Sequence, residues 1–420
     1  MTILRTLIPS PILSLYHFAW ATGAAWWYGY PSRTLTVIGI TGTKGKSSVS
    51  EMVAAILREE GHTVAVASTI HFVIGEETER NLYKMTMPGR GRLQKFMRDA
   101  AKAGCTHAVI EMTSEGVLQH RHAGIDLDAL VFTNLTPEHI ERHGSFERYA
   151  EAKLELARAL ARSPKRPRTI VANQDDAYGT KFLATEADVR APYSLNDAKP
   201  YSADETGARF VWQGELFSVP LPGLFNVKNC LAALTLGNAL GIDTLVMKRA
   251  LEHLPPIAGR AERIEQGQPF AVVVDYAHTP ESLEALYETY ASLSNTGTRR
   301  RLICVVGATG GGRDKAKRAR MGAMADTYCD AAFLTDDDPY DENSESILAD
   351  LAKGFANHVP TRIVDRRNAI AAALAEAKDG DAVLITGKGT DPYLMLAHGK
   401  KMPWSDRDVA TEELTKLGYN

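Results

Sequence analysis

A lysine and a serine that follow a glycine can hold the phosphates of a nucleoside triphosphate, and this chain has them at Gly45, Lys46 and Ser47. Backbone N–H groups near the glycines can point toward phosphate oxygens. The Lys46 ammonium supplies charge for the β and γ phosphates, and the Ser47 hydroxyl can hold Mg²⁺. The glycine spacing departs from the strict pattern, because Gly39 lies six positions before Gly45 rather than five.

The residues around this loop predict the strand and the helix that such a site needs. Residues 35–40 are an apolar run typical of a buried strand, and residues 48–58 have apolar side chains at helical spacing. The loop would then lie at a helix N-terminus, where the helix dipole favours anions. Further apolar runs alternate with helix-length stretches, at 64–67, 108–111, 130–133 and 170–172. This alternation predicts an α/β fold with a mainly parallel sheet and helices on both faces.

A proline pair and a glycine, at Pro255, Pro256 and Gly259, predict a domain boundary. Before it, short alternating runs over residues 201–220 predict a hairpin. After it, a second series of strands and helices predicts a smaller, Rossmann-like, doubly wound domain. We expect three parts: an aromatic N-terminal extension at 1–33, a central P-loop domain at 34–258 and a C-terminal domain at 259–420.

Composition bounds the class of protein. The 420 residues are 45% hydrophobic and 24% charged, as in an ordinary globular protein with two or three cores. The net charge of −3 gives no footprint for nucleic acid, so we expect no such partner. No two cysteines lie in a close pair, which predicts buried reduced thiols and a cytoplasmic location. The cysteines are Cys105, Cys230, Cys304 and Cys329.

Residues 12–30 are apolar and aromatic, and His17 is the one side chain among them that can gain a charge near neutral pH. Three interpretations remain open: a helix packed on the next domain, a helix lying on the inner membrane surface, or a membrane span. The aromatic content and the glycines disfavour a span, and no secretory cleavage site follows.

Open parallel sheets bind ligands at the carboxyl ends of their strands, so residues there are candidates for chemistry. Glu111 ends a predicted strand and could complete a Mg²⁺ shell begun by Ser47. His139 follows another strand and is either a metal ligand or a satisfied polar residue. Lys153 lies on a predicted amphipathic helix, and composition alone indicates a solvated lysine there.

Together these segments resemble the Mur ligase family in order and spacing: residues 41–47, 132–139 and 152–153. The resemblance covers roughly residues 34–420. It is closest to the MurE type, which adds the third residue of the peptidoglycan stem peptide. The segments that carry this closer resemblance are 173–176, 225–229, 259–262, 275–280, 310–315 and 365–366.

The resemblance implies an ATP-dependent amide ligase. The γ phosphate passes to a substrate carboxylate, and an amine attacks the acyl phosphate to give an amide, ADP and phosphate. It also implies ATP and two Mg²⁺ ions as cofactors. The substrates would be an amino acid and a peptide or muramoyl-peptide acceptor, in cell-wall synthesis.

The resemblance assigns residues to the ions and to ATP. Ser47 and Glu111 would hold one Mg²⁺, and His139 and Lys153 the other. A carbamate formed from CO₂ would turn the Lys153 amine into an oxygen ligand suited to a hard ion. The remaining ATP contacts would be Thr43, Lys44, Gly45, Lys46, Ser48, Asn229 near the adenine, Asp275 near the ribose and Arg260 near the γ phosphate. Because Arg260 and Asp275 follow the predicted boundary, catalysis should need domain closure.

Substrate contacts are also implied by the resemblance. Thr86, Thr113 and Ser114 would contact the acceptor, although a turn and a helix start explain these residues equally well. Arg313 follows a glycine-rich segment that would bind the amino-acid carboxylate or serve as a plain flexible loop. The other implied substrate contacts are His278, Asp337, Asp338, Tyr340 and Asp391.

Three departures from the family pattern affect the substrates. Only about 33 residues precede the phosphate-loop strand, so we expect no UDP-sugar-binding domain. Tyr340 stands where diaminopimelate-specific members have arginine, and Asp391 stands in for an acid of a His-Glu pair. The alternatives are a folylpolyglutamate or poly-γ-glutamate ligase, and a catalytically silent nucleotide-binding subunit that anchors a partner to the membrane.

Overall fold

The computed structural model describes residues 10–89, 91–138, 140–291 and 299–420. The chain divides into two compact units. The first comprises residues up to 201 together with 209–219 and 226–254, and the second comprises 202–208, 220–225 and 255–420. The predicted boundaries at residues 33 and 258 stay predictions.

An eight-stranded sheet lies at the centre of the first unit. Its strands are β1 (Thr36–Thr41), β2 (Val64–Ala67), β3 (His71–Ile74), β4 (Glu77–Arg80), β5 (His107–Glu111), β6 (Ala129–Phe132), β7 (Thr169–Asn173) and β8 (Val189–Tyr193). The order is β4-β3-β2-β5-β1-β6-β7-β8. All pairings are parallel except those of β3 with its two neighbours. β1 therefore lies between β5 and β6, which brings the carboxyl ends of all three together.

Helices surround this sheet: α1 (Ser10–Trp27), α2 (Lys46–Glu59), α3 (Arg92–Lys102), α4 (Ser114–Leu118), α5 (Ile140–His143), α6 (Phe146–Ala161), α7 (Gly179–Leu183), α8 (Leu224–Ala239) and α9 (Thr244–Glu252). Short strands β9 (Tyr201–Ala203), β10 (Ala208–Trp212) and β11 (Glu215–Val219) follow β8. Gln213 and Gly214 both have positive φ, as a tight hairpin between β10 and β11 requires. The hairpin predicted there is confirmed.

α1 packs on the first unit through small residues. A Cβ placed on Gly91 would lie 2.8 Å from the Ala24 Cβ, and one on Gly124 would lie 2.6 Å from the Ala25 Cβ. Both alanines are buried. In the part of the chain that the structure describes, no helix has the length and apolarity needed to cross a bilayer.

The second unit contains a six-stranded sheet of order β12-β13-β17-β14-β15-β16. Its elements are β12 (Glu262–Arg263), β13 (Ala271–Asp275), α10 (Pro280–Tyr290), β14 (Leu302–Ala308), α11 (Ala316–Tyr328), β15 (Ala331–Asp336), α12 (Ser344–Ala352), β16 (Thr361–Arg362), α13 (Arg366–Glu376), β17 (Ala382–Thr386), β18 (Tyr393–Met395), β19 (Lys401–Pro403) and α14 (Asp406–Lys416). Strands β13 to β17 of this sheet are parallel, and only β12 is antiparallel. Apolar clusters cover both faces, which confirms the predicted doubly wound fold.

The prediction of four reduced thiols is wrong for one pair. Cys304 on β14 and Cys329 after α11 form a disulfide, although 25 positions separate them in the chain. The strand–helix connection returns the chain beside its starting strand, so the two Cα atoms lie 6.1 Å apart, within disulfide range. Cys105 and Cys230 are buried and free, and burial raises the pKa of both thiols.

Candidate active site

The phosphate loop connects the end of β1 to the start of α2. Gly45, the residue before α2, has φ +81°, and a Cβ there would lie 2.3 Å from Asn229 Oδ1. Lys46 Nζ donates to the Thr43 carbonyl oxygen at 2.9 Å and lies 4.0 Å from Glu111 Oε1. The lysine therefore folds back over its own loop, with its charge close to a carboxylate.

Replacing Gly45 by alanine should weaken ATP binding at least about tenfold, because the new methyl group would displace Asn229 from the loop. Gly61→Ala is the matched control: Gly61 has φ +97° and nothing within 4 Å of an added Cβ. Both variants carry backbone strain of about 1 kcal/mol, so both should lose stability to thermal unfolding. Calorimetric titration with ATP should separate them, and equal affinities would contradict a role for the Gly45 contact.

Glu111 ends β5 beside the loop. Its carboxylate is buried, and both of its oxygens accept hydrogen bonds. Oε2 accepts from Ser47 Oγ at 3.0 Å and from the Thr69 backbone N at 2.9 Å, and Oε1 accepts from Thr69 Oγ1 at 3.1 Å. These bonds fix the direction of the carboxylate toward the start of α2. A serine hydroxyl and a carboxylate oxygen at this separation can share one Mg²⁺.

Lys153 lies in the middle of α6 and is buried against the phosphate loop. Its Nζ donates to the Gly42 carbonyl oxygen at 2.7 Å. Burial, helped by the charge of Lys46, lowers the pKa of Lys153 well below its usual value, against opposing effects of Glu138 and Glu111. The interpretation of Lys153 as solvated is therefore wrong: the side chain is buried, and its surroundings favour the neutral amine.

The segment after β6 holds the other side of the loop. Asn134 Oδ1 accepts from the Lys44 backbone N at 2.9 Å, and its Nδ2 donates to the Lys44 carbonyl at 3.1 Å. Lys44 Nζ lies 3.2 Å from Glu138 Oε1, and Thr43 Oγ1 lies 3.0 Å from the Tyr149 hydroxyl. His139, predicted as a metal ligand, lies outside the described residues.

Of the predicted acceptor contacts, Thr86 is linked to the phosphate-loop residues by hydrogen bonds. Its Oγ1 is 2.7 Å from Thr69 Oγ1, which itself bonds Glu111. Thr113 instead caps α4, where its Oγ1 accepts from Gly116 N. Ser114 Oγ lies 3.1 Å from His143 Nε2, and burial lowers the pKa of this histidine. Ser48 is buried in the first turn of α2.

In the second unit, three predicted residues lie close to the start of β12 and the end of β13. Asp275 accepts from the backbone N of Ala261 and of Ala277, each at 2.6 Å. The Arg260 guanidinium lies 4.6 Å from the centre of the Tyr276 ring. His278 Nδ1 lies 2.7 Å from the Tyr276 carbonyl oxygen. These contacts hold Arg260 beside the end of β13.

Three other predicted aspartates of the second unit lie around Lys388, which sequence reasoning missed. Its buried Nζ lies 2.7 Å from Asp338, 3.5 Å from Asp337 and 3.4 Å from Asp391. The three carboxylates raise the pKa of Lys388 despite its burial. The sequence signal was its position between two glycines directly after β17.

Tyr340 and Arg313 also meet. Tyr340 has φ +54°, and a Cβ on Gly311 would lie 2.9 Å from its ring. Arg313 makes a side-chain hydrogen bond to Tyr340, whose pKa is raised by burial and by Asp338. The tyrosine therefore lies within hydrogen-bond distance of the Arg313 side chain.

Thr69, Asn134 and Tyr149 are further residues that sequence reasoning missed. Thr69 lies just beyond β2 and Asn134 just beyond β6, so strand ends were their only signal. Within the described residues, no group of three or more His, Cys, Asp or Glu side chains is arranged around a metal position.

Family models and curated relatives match this chain. The Mur ligase middle domain matches residues 40–237, and the model described as "Mur ligase, glutamate ligase domain" matches residues 259–389. UDP-N-acetylmuramyl-tripeptide synthetase of Roseiflexus sp. is 37% identical over 440 residues, covering 98% of this chain and 85% of that protein. The chain belongs to the Mur ligase family. A Gloeobacter violaceus UDP-N-acetylmuramoyl-L-alanyl-D-glutamate–2,6-diaminopimelate ligase is also 37% identical, over 94% of this chain and 80% of its own.

Solved structures agree with this membership. A UDP-N-acetylmuramoyl-L-alanyl-D-glutamate–2,6-diaminopimelate ligase has 30% identity and a TM-score of 0.63, covering 96% of this chain and 84% of its own. Mycobacterium tuberculosis folylpolyglutamate synthase has a TM-score of 0.71 over 89% of this chain and 93% of its own, but 20% identity, so that likeness concerns the fold alone. This Mur ligase is therefore an ATP-dependent carboxylate–amine ligase, and its relatives favour the MurE type.

Proposed function

We propose that this ligase joins an amino acid to a muramoyl-peptide acceptor in peptidoglycan synthesis, as the names of its relatives suggest. The acceptor carboxylate attacks the γ phosphate of ATP and releases ADP, and the amine then displaces phosphate to form the amide. The observation that carries the proposal is the group of Lys46, Ser47, Glu111 and Lys153 at the phosphate loop.

We propose that Ser47 and Glu111 hold one Mg²⁺, and that Lys153, as its carbamate, and His139 hold a second. The oxygen donors of Ser47, Glu111 and the carbamate fit, because Mg²⁺ takes a few protein oxygens and completes its shell with phosphates and water. When bound, the ions neutralise charge on the transferring phosphoryl group. The lowered pKa of Lys153 supports the carbamate, because only a neutral amine reacts with CO₂.

The remaining roles follow from position. Lys46 compensates phosphate charge, and Asn229, which bonds Asn226 at 3.0 Å beside Gly45, would contact the adenine. Arg260 and Asp275 would contribute to the same nucleotide when the domains close. The complete proposed ATP set is Thr43, Lys44, Gly45, Lys46, Ser47, Ser48, Asn229, Arg260 and Asp275.

The incoming amino acid would be held by the second unit. Arg313 is proposed to bind its carboxylate, with His278 and the Lys388 cluster nearby in the same unit. Tyr340 offers one hydroxyl rather than the bidentate fork of an arginine. This favours an amino acid without a second carboxylate over diaminopimelate.

Phosphate release from ATP tests the proposed function directly. Amino acids are crossed with a UDP-linked muramoyl dipeptide, a lipid-linked muramoyl dipeptide, a free dipeptide, and folate or polyglutamate acceptors. Release that needs both a muramoyl acceptor and one amino acid is expected. Turnover only with folate or polyglutamate would move the assignment to that ligase type, and no turnover with any acceptor would favour a silent subunit.

We further propose that the chain works in the cytoplasm and that α1 contacts the membrane there. The exposed positions of α1 that the structure describes are all apolar or aromatic, and most recur at intervals of three and four residues. They are Ile12, Leu15, Tyr16, Phe18, Ala19, Trp20, Gly23, Trp26 and Trp27. A continuous face of this kind marks an interaction surface, and tryptophan and tyrosine favour the bilayer interface.

Flotation with anionic vesicles tests this contact. The full chain should float with the vesicles, and replacing Trp26 and Trp27 by serine should reduce the bound fraction at least about fivefold, since 69% and 76% of these residues are exposed. Leu216→Ser with Leu245→Ser is the matched control, because these leucines are exposed to 56% and 50% outside α1. Equal loss in both double variants would contradict a specific α1 contact.

A further inference from the structure

A cavity of about 370 Å³ lies between α1 and the chain that leads into α3, within the first unit. Its helix side includes Tyr16 and Trp20, and its opposite side includes Met85, Arg92 and Arg121. Tyr16 and Trp20 belong to the exposed face of α1. The cavity therefore joins an apolar aromatic surface to a pair of guanidinium groups.

Arg92 lies in a basic stretch of sequence, within which Lys95 is paired with Asp99 at 2.6 Å. Residues 80–98 contain six basic residues and no acidic one: Arg80, Lys84, Arg90, Arg92, Lys95 and Arg98. Arg92 stacks on the Tyr83 ring at 4.4 Å. Arg121 donates to Gln119 Oε1 at 2.6 Å and to the Met87 carbonyl.

Among the described residues, no carboxylate lies within ion-pair distance of either cavity arginine; burial lowers the pKa of Arg121, and the more distant charge of Glu115 opposes this effect. An arginine with no ion-paired carboxylate beside an apolar wall is suited to an anionic ligand group. Arginine forks match phosphate oxygens in particular. The chemistry of the cavity thus favours a phosphate or pyrophosphate group attached to an apolar moiety.

One wall of the cavity lies next in the chain to a residue that bonds toward the phosphate loop. Met85 and Pro88 line it, and Thr86 lies between them in the chain. Thr86 reaches Glu111 through two hydrogen bonds, of 2.7 Å to Thr69 and 3.1 Å from Thr69 to the carboxylate. This segment therefore connects the cavity wall to the hydrogen bonds around Glu111 at the phosphate loop.

We propose that the acceptor is lipid-linked: a muramoyl peptide joined through a pyrophosphate to a polyprenyl chain. The pyrophosphate lies near Arg92 and Arg121, the apolar chain lies along the exposed face of α1, and the peptide carboxylate reaches the phosphate loop. This inference rests on the proposed ligase function. A UDP-linked acceptor has the same pyrophosphate, but it has no apolar chain to cover Trp20 and its neighbours.

Two acceptors that differ only in the carrier test the inference. The full chain, with ATP and Mg²⁺, receives the same muramoyl dipeptide either on a polyprenyl pyrophosphate in vesicles or on UDP in vesicle-containing buffer. We expect phosphate release and amide formation at least tenfold faster with the lipid carrier. Equal rates, or faster turnover of the UDP form, would overturn the lipid-linked acceptor while leaving the ligase function intact. Absence of turnover with both would overturn the ligase function itself.

Two single variants test whether the preference for the lipid-linked acceptor depends on this cavity. Trp20→Ser and Arg92→Gln should each reduce the lipid-to-UDP rate ratio at least fivefold, the first through the apolar chain and the second through the pyrophosphate. Leu245→Ser and Arg98→Gln are matched controls, since both residues are exposed and neither lines the cavity. An unchanged ratio in Trp20→Ser and Arg92→Gln would place the lipid preference elsewhere and overturn the assignment to this cavity.

Discussion

Replacing Lys153 by alanine should reduce ligation more than about 100-fold, because even the outer partners of metal ligands typically cost 10–100-fold when removed. The side chain is buried beside the phosphate loop, and burial there lowers the pKa of its amine. A carbamate on that amine would place an oxygen ligand where a cation otherwise lies. Phosphate release and amide formation by the purified variant measure the loss.

The role of Lys153 as a carbamate can also be tested by changing the supply of CO₂. The carbamate requires the neutral amine, and the lowered pKa of Lys153 increases the fraction of that form. Activity of the wild-type chain should fall in CO₂-depleted buffer and return with bicarbonate, while ¹³CO₂ should give a carbamate NMR signal that Lys153→Ala lacks.

Two control variants distinguish a loss of catalysis from a loss of folding. Lys153→Met keeps most of the buried volume and removes the amine, so it should fold as the wild type does and still lose activity. Lys181→Ala removes an exposed lysine of α7 that lies over the Tyr178 ring, and it should change neither readout. Full activity in Lys153→Met would rule out the carbamate.

The phosphate loop was predictable because its evidence is local. An apolar run, a glycine turn and a helical pattern lie next to one another in the chain, and the structure places β1 and α2 around the loop accordingly. The α/β class was predictable for the same reason. Alternating strands and helices specify a parallel sheet without knowledge of any single contact.

Burial of charged side chains was not predictable in this way. The residues of α6 around Lys153 form an ordinary amphipathic pattern, and the amine is buried only because α6 packs against the loop at Gly42. Lys388 contacts three aspartates, two at the end of β15 and one after β17, so no local pattern announces the cluster. The pairing of Cys304 with Cys329 likewise depends on the strand–helix connection.

Replacing Lys46 by alanine should also reduce ligation more than about 100-fold, since it removes a fixed positive charge from the transferring phosphate. The structure adds a second expected effect. The charge of Lys46 helps to lower the pKa of Lys153, so its removal should raise that pKa and reduce the neutral fraction. The ¹³C carbamate signal should therefore weaken near pH 7 and recover as the pH rises.

Lys46→Arg distinguishes the two effects. It keeps the charge, and so should keep the pH dependence of the carbamate, but a planar guanidinium cannot replace a compact ammonium at the phosphates, so ligation should still fall. Arg58→Ala, an exposed change at the last turn of the same helix, should alter neither measurement. A Lys46→Ala chain with the wild-type carbamate profile would show that burial alone keeps Lys153 neutral. One with wild-type ligation would remove Lys46 from the chemistry altogether.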